Sequence, residues 1–272
     1  MQRRHIAIAP ILIALLVLAF KYFTAPKFVN PETGRVSHLA LSAGQEASLG
    51  LQSYQEVLST EQVISQGADV DMINGVVKRL VAATGEEGQK MEWQVSVVQS
   101  DQVNAFCLPG GKIVVYTGIL PVAQGEAGLA TVLGHEMAHA TSHHGAERMF
   151  KGEMTSAIVN GVQGAIALGD MDNGKRIAVM AALGAGAKYG VQLPFGRKDE
   201  SEADEIGLMY MSRAGYDPHE AISFWQRMTA MAGKGQPMQF MSDHPSHETR
   251  VAQLQQLLPK AMEEYGKSSA AK

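Results

Sequence analysis

Hydrophobic and polar positions recur along the chain with changing periods, and the changes mark its elements. The first is an uncharged apolar run from Ile6 to Phe20, preceded by Arg3 and Arg4 and followed by Lys21, Tyr22 and Phe23. It has no polar face, so it does not read as a buried core helix. Basic residues followed by an apolar run are the layout of a secretory signal. A spanning helix needs about 20 apolar residues, which this run approaches only by extending to Phe23 with its aromatic end at the interface. Cleavage after Ala25 would put Phe23 where a small residue is wanted, and cleavage after Ala19 would cut the run. Residues 1–24 are therefore read as a retained single-pass signal anchor in preference to a removed signal; in either case the basic end is cytoplasmic and the remainder is exported. Residues 25–41, with Pro26, Pro31 and Gly34, read as a linker.

From Ser42 the pattern turns helical. Ser42 can cap, and Leu49, Tyr54, Val57 and Leu58 recur at helical intervals. Val70 to Ala83 repeats the pattern with Met72, Ile73, Val76, Val77 and Leu80, and Gly85 and Gly88 stop it. Strand signals follow. Trp93, Val95 and Val97 alternate with Gln94 and Ser96, and Asn104 to Leu108 is a second short run. Pro109-Gly110-Gly111 is a tight turn into a third, Ile113 to Tyr116, which makes a small sheet with a hairpin. Helical patterns resume over Glu126 to His144, two Ala/Gly-rich stretches between Met154 and Gly190, Asp199 to Ala214, His219 to Met231, and Thr249 to Tyr265. Met154 to Gly169 is too short, and with Asn160 and Gln163 too polar, for a second span. The expected fold is α+β and mostly helical, with a small β-sheet, one domain over residues 42–265 and a frayed tail at 266–272.

Composition narrows the function classes. The 272 residues are 46% apolar and 18% charged, which is globular usage. The net charge is −4, and no basic block follows the first few residues, which argues against nucleic acid as a partner. Cys107 is the single cysteine, so an intramolecular disulfide and an all-cysteine metal site are both excluded.

The chemistry lies in His135-Glu136-Met137-Ala138-His139. Residues four apart share one helix face about 6 Å apart along the axis, so both imidazoles can reach one Zn2+ at about 2.0–2.1 Å. Glu136 lies beside them, where it can act on a water molecule. The bland alternative is two helix-face histidines satisfied by water. His143 continues the face but lies about 12 Å along the axis from His135, too far to share its metal. Ser142 and Gly145 stand where a metzincin would carry glycine and histidine, which excludes that class. A later acidic segment, Asp199-Glu200-Ser201-Glu202-Ala203-Asp204, offers Glu200 and Asp204 four apart on another helix. Glu200 can complete a two-His, one-Glu site with an open fourth position. Asp204 can accept the second N–H of a ligating histidine. Glu202 points to a different face. Taken alone, the segment also fits a solvated acidic surface.

These motifs together resemble the gluzincin metallopeptidases of the family that includes CAAX prenyl protease, HtpX and the periplasmic proteases that police barrel assembly (metallopeptidase family forty-eight). The similarity runs from about Ser42 to Leu258. It includes Asn104-Ala105-Phe106 with the Pro109-Gly110-Gly111 turn, His135 to His139, His144-Gly145, Glu200 and Asp204 with Ile206-Gly207, and His244-Pro245 with Arg250. The resemblance implies a zincin-like endopeptidase domain holding one Zn2+ per chain on His135, His139 and Glu200, with Glu136 as base and Asp204 behind the ligands. It makes Asn104, Ala105 and Phe106 part of an edge strand to which an extended polypeptide adds, although the pattern alone equally fits an interior strand. It puts His244 and Arg250 near the metal, steadying the oxyanion or holding a loop over the site. Their ordinary readings are a helix-entry turn and a surface ion pair. With one anchor, it points to the bacterial inner membrane, a periplasmic catalytic domain and misfolded or unassembled envelope proteins as substrates. The rivals are an envelope assembly factor or chaperone whose zinc site is held latent by the His244 loop, and a zinc hydrolase acting on a non-peptide amide.

Overall fold

A computed structural model describes residues 8–168, 195–232, 239–244 and 249–268. Its backbone divides into two compact units, one built from 1–29, 36–42 and 145–193, the other from 30–35, 43–144 and 194–272.

In the first unit, helix α1 (Ile8–Thr24) carries the N-terminal apolar run, with Leu16, Phe20 and Phe23 strongly exposed. Strands β1 (Lys27–Val29) and β2 (Val36–His38) pair antiparallel, so the expected linker holds a hairpin. Three-residue strands are too short to register as an alternating pattern. Most of helix α7 (His144–Leu168) completes this unit and takes up the first Ala/Gly-rich stretch. The second Ala/Gly-rich stretch lies outside the described residues. Among the described residues, no helix is long and apolar enough to cross a membrane, and α1 has 17 residues. The expected single-pass span is accordingly not found.

The second unit holds α2 (Ala43–Thr60), β3 (Val63–Ile64), α3 (Ala68–Ala83), α4 (Glu86–Gln89), β4 (Gln94–Val98), β5 (Ala105–Leu108), β6 (Lys112–Tyr116), α5 (Leu120–Ala123) and α6 (Glu126–Thr141). It continues with α8 (Arg197–Arg213), α9 (His219–Ala232), α10 (Gln239–Asp243) and α11 (Arg250–Lys267). The sheet order is β3-β4-β6-β5, with β4 and β6 parallel and the other pairs antiparallel. Every residue of the inner strand β6 is buried, which its near-continuous apolar run foreshadows. β5 lies at the sheet edge, with Phe106 opposite Val114. Gly110 and Gly111, both at positive φ, make the turn between β5 and β6.

Helix α6 is buried on all sides from Gly128 to Thr141. Leu129, Val132, Leu133 and Met137 are fully enclosed and share one core with Val76, Leu80, Ile113, Ile206, Phe224 and Trp225. Each such side chain contributes about 1.5–3 kcal/mol on burial. Two glycines let α6 and α8 meet backbone to backbone. A Cβ on Gly207 would lie 2.7 Å from His135 N, and one on Gly134 would lie 2.9 Å from Gly207 O.

The expected helix from Glu126 to His144 breaks at Ser142 and His143, and His144 opens α7 instead. His143 takes the left-handed conformation (φ 54°) and is buried against Glu46 (Nδ1 to Oε2 3.0 Å) and Glu87 (Nε2 to Oε1 3.3 Å). Tertiary contacts, not a glycine, end the helix.

Gly207→Ala should force α6 and α8 apart and lower stability by about 1–3 kcal/mol. The shift in urea midpoint of the metal-free protein checks this, and an unchanged midpoint would refute the close-approach argument.

Candidate metal centre

The glycine crossing sets the register of the site. On α6, His135 directly follows Gly134 and His139 lies a turn further on, while on α8 Asp204 and Glu200 lie about one and two turns before Gly207. The imidazoles approach with Nε2 atoms 3.1 Å apart. Glu200 faces both, with Oε2 3.5 Å from His135 Nε2 and Oε1 3.4 Å from His139 Nε2. His244, immediately after α10, sets Nδ1 3.0 Å from Glu200 Oε1 and 3.3 Å from His135 Nε2. One donor atom from each of these four buried residues lies within 4.8 Å of all the others. A tetrahedral ion with ligands at about 2.0–2.1 Å separates its donors by about 3.3–3.4 Å, so these spacings suit one.

Charge points the same way. Glu136, Glu200 and Asp204 are buried carboxylates, and Arg250 is the buried guanidinium among them. With neutral imidazoles the cluster holds two net negative charges, a costly arrangement unless a divalent cation or protons offset it. Burial opposes a charge on His135, yet Asp204 and Glu200 hold its pKa up at about 9. The site draws in a proton when no cation is present. Burial keeps His139 well below the usual imidazole range. Burial would raise Glu200, but hydrogen bonds from His135, His139 and His244 carry it far below the carboxylate range.

Glu136 is 2% exposed, and burial raises its pKa against the opposing pull of His244, His135 and the Cys107 backbone on β5. Its Oε1 has no hydrogen-bond partner and lies 3.4 Å from His244 Nε2. Burial also pushes the Cys107 thiol well up, so it stays protonated beside the carboxyl.

Behind the imidazoles, Asp204 Oδ1 lies 2.9 Å from His135 Nδ1, a close approach without hydrogen-bond alignment. Arg250, 1% exposed, donates from Nε to Asp204 (2.6 Å) and from Nη2 to Glu200 (2.5 Å). Its guanidinium carbon sits 3.8 Å over the Trp225 ring. Arg250 thus grips the two carboxylates from behind and makes no surface pair. Phe195 packs on His139 with centroids 4.2 Å apart, and Phe240 stacks on His244 at 4.8 Å.

His135, Glu136, His139, Glu200, Asp204, His244 and Arg250 are therefore brought together. Asn104, Ala105 and Phe106 lie in or beside the edge strand β5, and Pro245 lies outside the described residues. Reading the sequence missed Phe195, Trp225 and Phe240, whose only sequence signal is aromatic character within apolar stretches. It also missed His144 and Glu202, which are completely and largely buried respectively.

A helix bearing His-Glu-x-x-His opposite a Glu-x-x-x-Asp helix, with a donor set suited to a divalent ion, defines a metallohydrolase site of the gluzincin kind. The pattern of peptidase family M48 matches residues 69–258, and the chain belongs to that family of metal-dependent peptidases. It is 36% identical over 244 residues to a protein named mitochondrial metalloendopeptidase OMA1 from Schizosaccharomyces pombe, covering 88% of this chain and 68% of that one. The namesake from Arabidopsis thaliana is 40% identical over 166 residues, 61% of this chain and 32% of that one. The beta-barrel assembly-enhancing protease of Escherichia coli is 27% identical over 249 residues, 89% of this chain and 50% of that one. The expected address, a bacterial inner membrane with a periplasmic catalytic domain, is overturned by the mitochondrial names of the more similar relatives. The expectation failed because a basic-then-apolar N-terminus does not by itself specify a compartment.

Arg250→Leu should leave Glu200 and Asp204 buried without their guanidinium and cost about 3–5 kcal/mol in the metal-free protein. Urea unfolding measures this, and a loss under about 1 kcal/mol would show that Arg250 is dispensable to the carboxylate pair.

Proposed function

We propose that the chain is a zinc endopeptidase in which His135, His139 and Glu200 hold the metal and Glu136 is the catalytic base. The convergence of two imidazoles from α6 and one carboxylate from α8 on a point beside Glu136 carries this reading. A zinc ion there would polarise the scissile carbonyl and acidify a water molecule. Glu136, raised by burial, is suited to take the proton from the attacking water and deliver it to the leaving amine nitrogen. Water oxygen joins the carbonyl carbon as the C–N bond breaks. Asp204 and Arg250 keep Glu200 and His135 oriented throughout. β5, with its outer backbone groups unpaired within the sheet, suits a polypeptide lying extended along it. Unfolded or unassembled chains can meet that requirement and folded ones cannot, so they are the proposed substrates.

One observation favours a second state of the same site. His244 Nδ1 occupies the remaining corner of the donor set, and His135, Glu136, His139 and Glu200 are all under 5% exposed. A water and a substrate need that corner, so His244 has to withdraw before turnover. This is the latent arrangement, with His244 acting as the cover.

Glu136→Gln is expected to keep one zinc per chain and to cleave an unfolded test protein at least 100-fold more slowly, in line with loss of a general base. Wild-type cleavage by this variant would sink the base assignment. His135→Ala should lose both zinc and activity. His244→Ala, assayed on the same substrate with chelator controls, should cleave faster than wild type if His244 is a cover. A rate below wild type would assign it instead to stabilising the transition state.

A further inference from the structure

The ring of His139 has two nitrogens, and the proposed metal role uses one of them. Nε2 faces Glu200 and His135. Nδ1, on the other edge, lies 2.9 Å from His144 Nδ1. His144 Nε2 in turn lies 3.0 Å from Glu202 Oε2. Glu202 also accepts from the Thr33 hydroxyl and the Arg35 Nε–H, both in short contacts. His144 is 0% exposed and Glu202 is 6% exposed. The His139–His144 contact is shielded from bulk solvent.

Proton counting gives this chain a direction. An imidazole that offers the Nε2 lone pair to a metal carries its proton on Nδ1. That N–H can only donate, so His144 Nδ1 must accept and the His144 proton must sit on Nε2. From there it can only donate, and among the described residues its acceptor is the Glu202 carboxylate that Thr33 and Arg35 hold in place. Each group has one role, and the order is consistent only if His139 presents Nε2 as a lone pair. The break in the helix at Ser142 and His143 creates this arrangement. On a continuous helix, residues five apart diverge in direction, and His144 would not turn back to His139.

We propose that His144 and Glu202 are positioning residues for His139, fixing its tautomer and ring orientation so that Nε2 is held toward the metal. The proposal rests on the reading of the site as a metal centre. Asp204 Oδ1 lies 2.9 Å from the corresponding nitrogen of His135, so each imidazole would have a carboxylate behind it, in close approach on one side and relayed through a histidine on the other. Thr33 and Arg35 extend the relay to the segment between β1 and β2.

The test uses the full chain and measures zinc affinity by competition with a chromophoric chelator, together with the visible spectrum of the Co2+-substituted protein. His144→Leu should weaken zinc by about 10–100-fold and change the Co2+ bands. His144→Asn, whose amide oxygen can stand where Nδ1 stood and accept from His139, should recover most of that loss. Glu202→Gln, which keeps the shape and removes the charge, should weaken zinc by about tenfold. The proposal is overturned if the variants bind zinc within twofold of wild type with an unchanged spectrum, even if their unfolding midpoint falls. Should His144→Leu fail to fold, Glu202→Gln decides by the same criterion. A wild-type chain that binds no zinc would instead bring down the metal-centre reading itself, an outcome separate from equal binding by wild type and variants.

Discussion

Everything at the site depends on two helices touching without side chains between them. Helices usually pack with axes 8–10 Å apart because side chains intervene. Gly134 and Gly207 remove those side chains at one crossing, where a Cβ on Gly207 would fall 2.7 Å from a backbone nitrogen of α6. A glutamate side chain is short. Only with the backbones this close can Glu200 Oε1 and Oε2 both stand within 3.5 Å of an imidazole. The cost of glycine inside a helix, about 0.5–1 kcal/mol each, is accepted at two positions, and the buried core around α6 offsets it. Without the enclosed Leu129, Leu133, Met137 and Ile206, the crossing would have no reason to persist.

The same closeness creates an electrostatic problem that the surroundings resolve. Three carboxylates lie within one dry cluster. Arg250 compensates one charge and is itself sheltered by Trp225, whose ring face favours a cation by about 0.5–2 kcal/mol. The rise in the His135 pKa shows the residual demand for positive charge. Such a cluster is poor stability design, since apolar residues of equal volume would often do as well or better. It makes sense as affinity for a divalent ion held in reserve, with folding energy given up for binding.

How much of this was legible in the sequence follows from how local each signal is. His135 and His139 declare themselves because four residues make about one turn, and Glu200 and Asp204 follow the same rule on α8. The need for a third ligand joined the two pairs and the resemblance to a family strengthened the link, while His244 and Arg250, which carry no spacing signal of their own, came from the resemblance alone. The inner strand β6 was readable as an apolar run, and the β5–β6 hairpin from its paired glycines. The β1–β2 hairpin was not, because three-residue strands leave no period to detect. The end of α6, expected at His144, falls at Thr141 because His143 adopts a left-handed backbone under the hold of Glu46 and Glu87, residues distant in sequence. Glu202 was rightly separated from the Glu200 face, but an acidic run in a helix looks solvated until its partners are known, and those partners are His144, Thr33 and Arg35.

The groups around the metal position divide by how firmly they are held. Asp204, Arg250 and Glu202 belong to helices of 17 and 18 residues packed into the main core, and moving any of them would disturb that core. His244 follows α10, a helix of five residues. So short a helix has almost no stability of its own, and its position depends on packing, chiefly through buried Phe240 against Trp225 and the His244 ring. Withdrawing His244 would mean giving up its ring contacts with Phe240 and Phe195 and its polar contacts with Glu200 and His135. On the proposed reading, the donors carried by the long helices α6 and α8 differ from His244, which follows a five-residue helix, and that asymmetry would let the same site be closed in one arrangement and ready for chemistry in another.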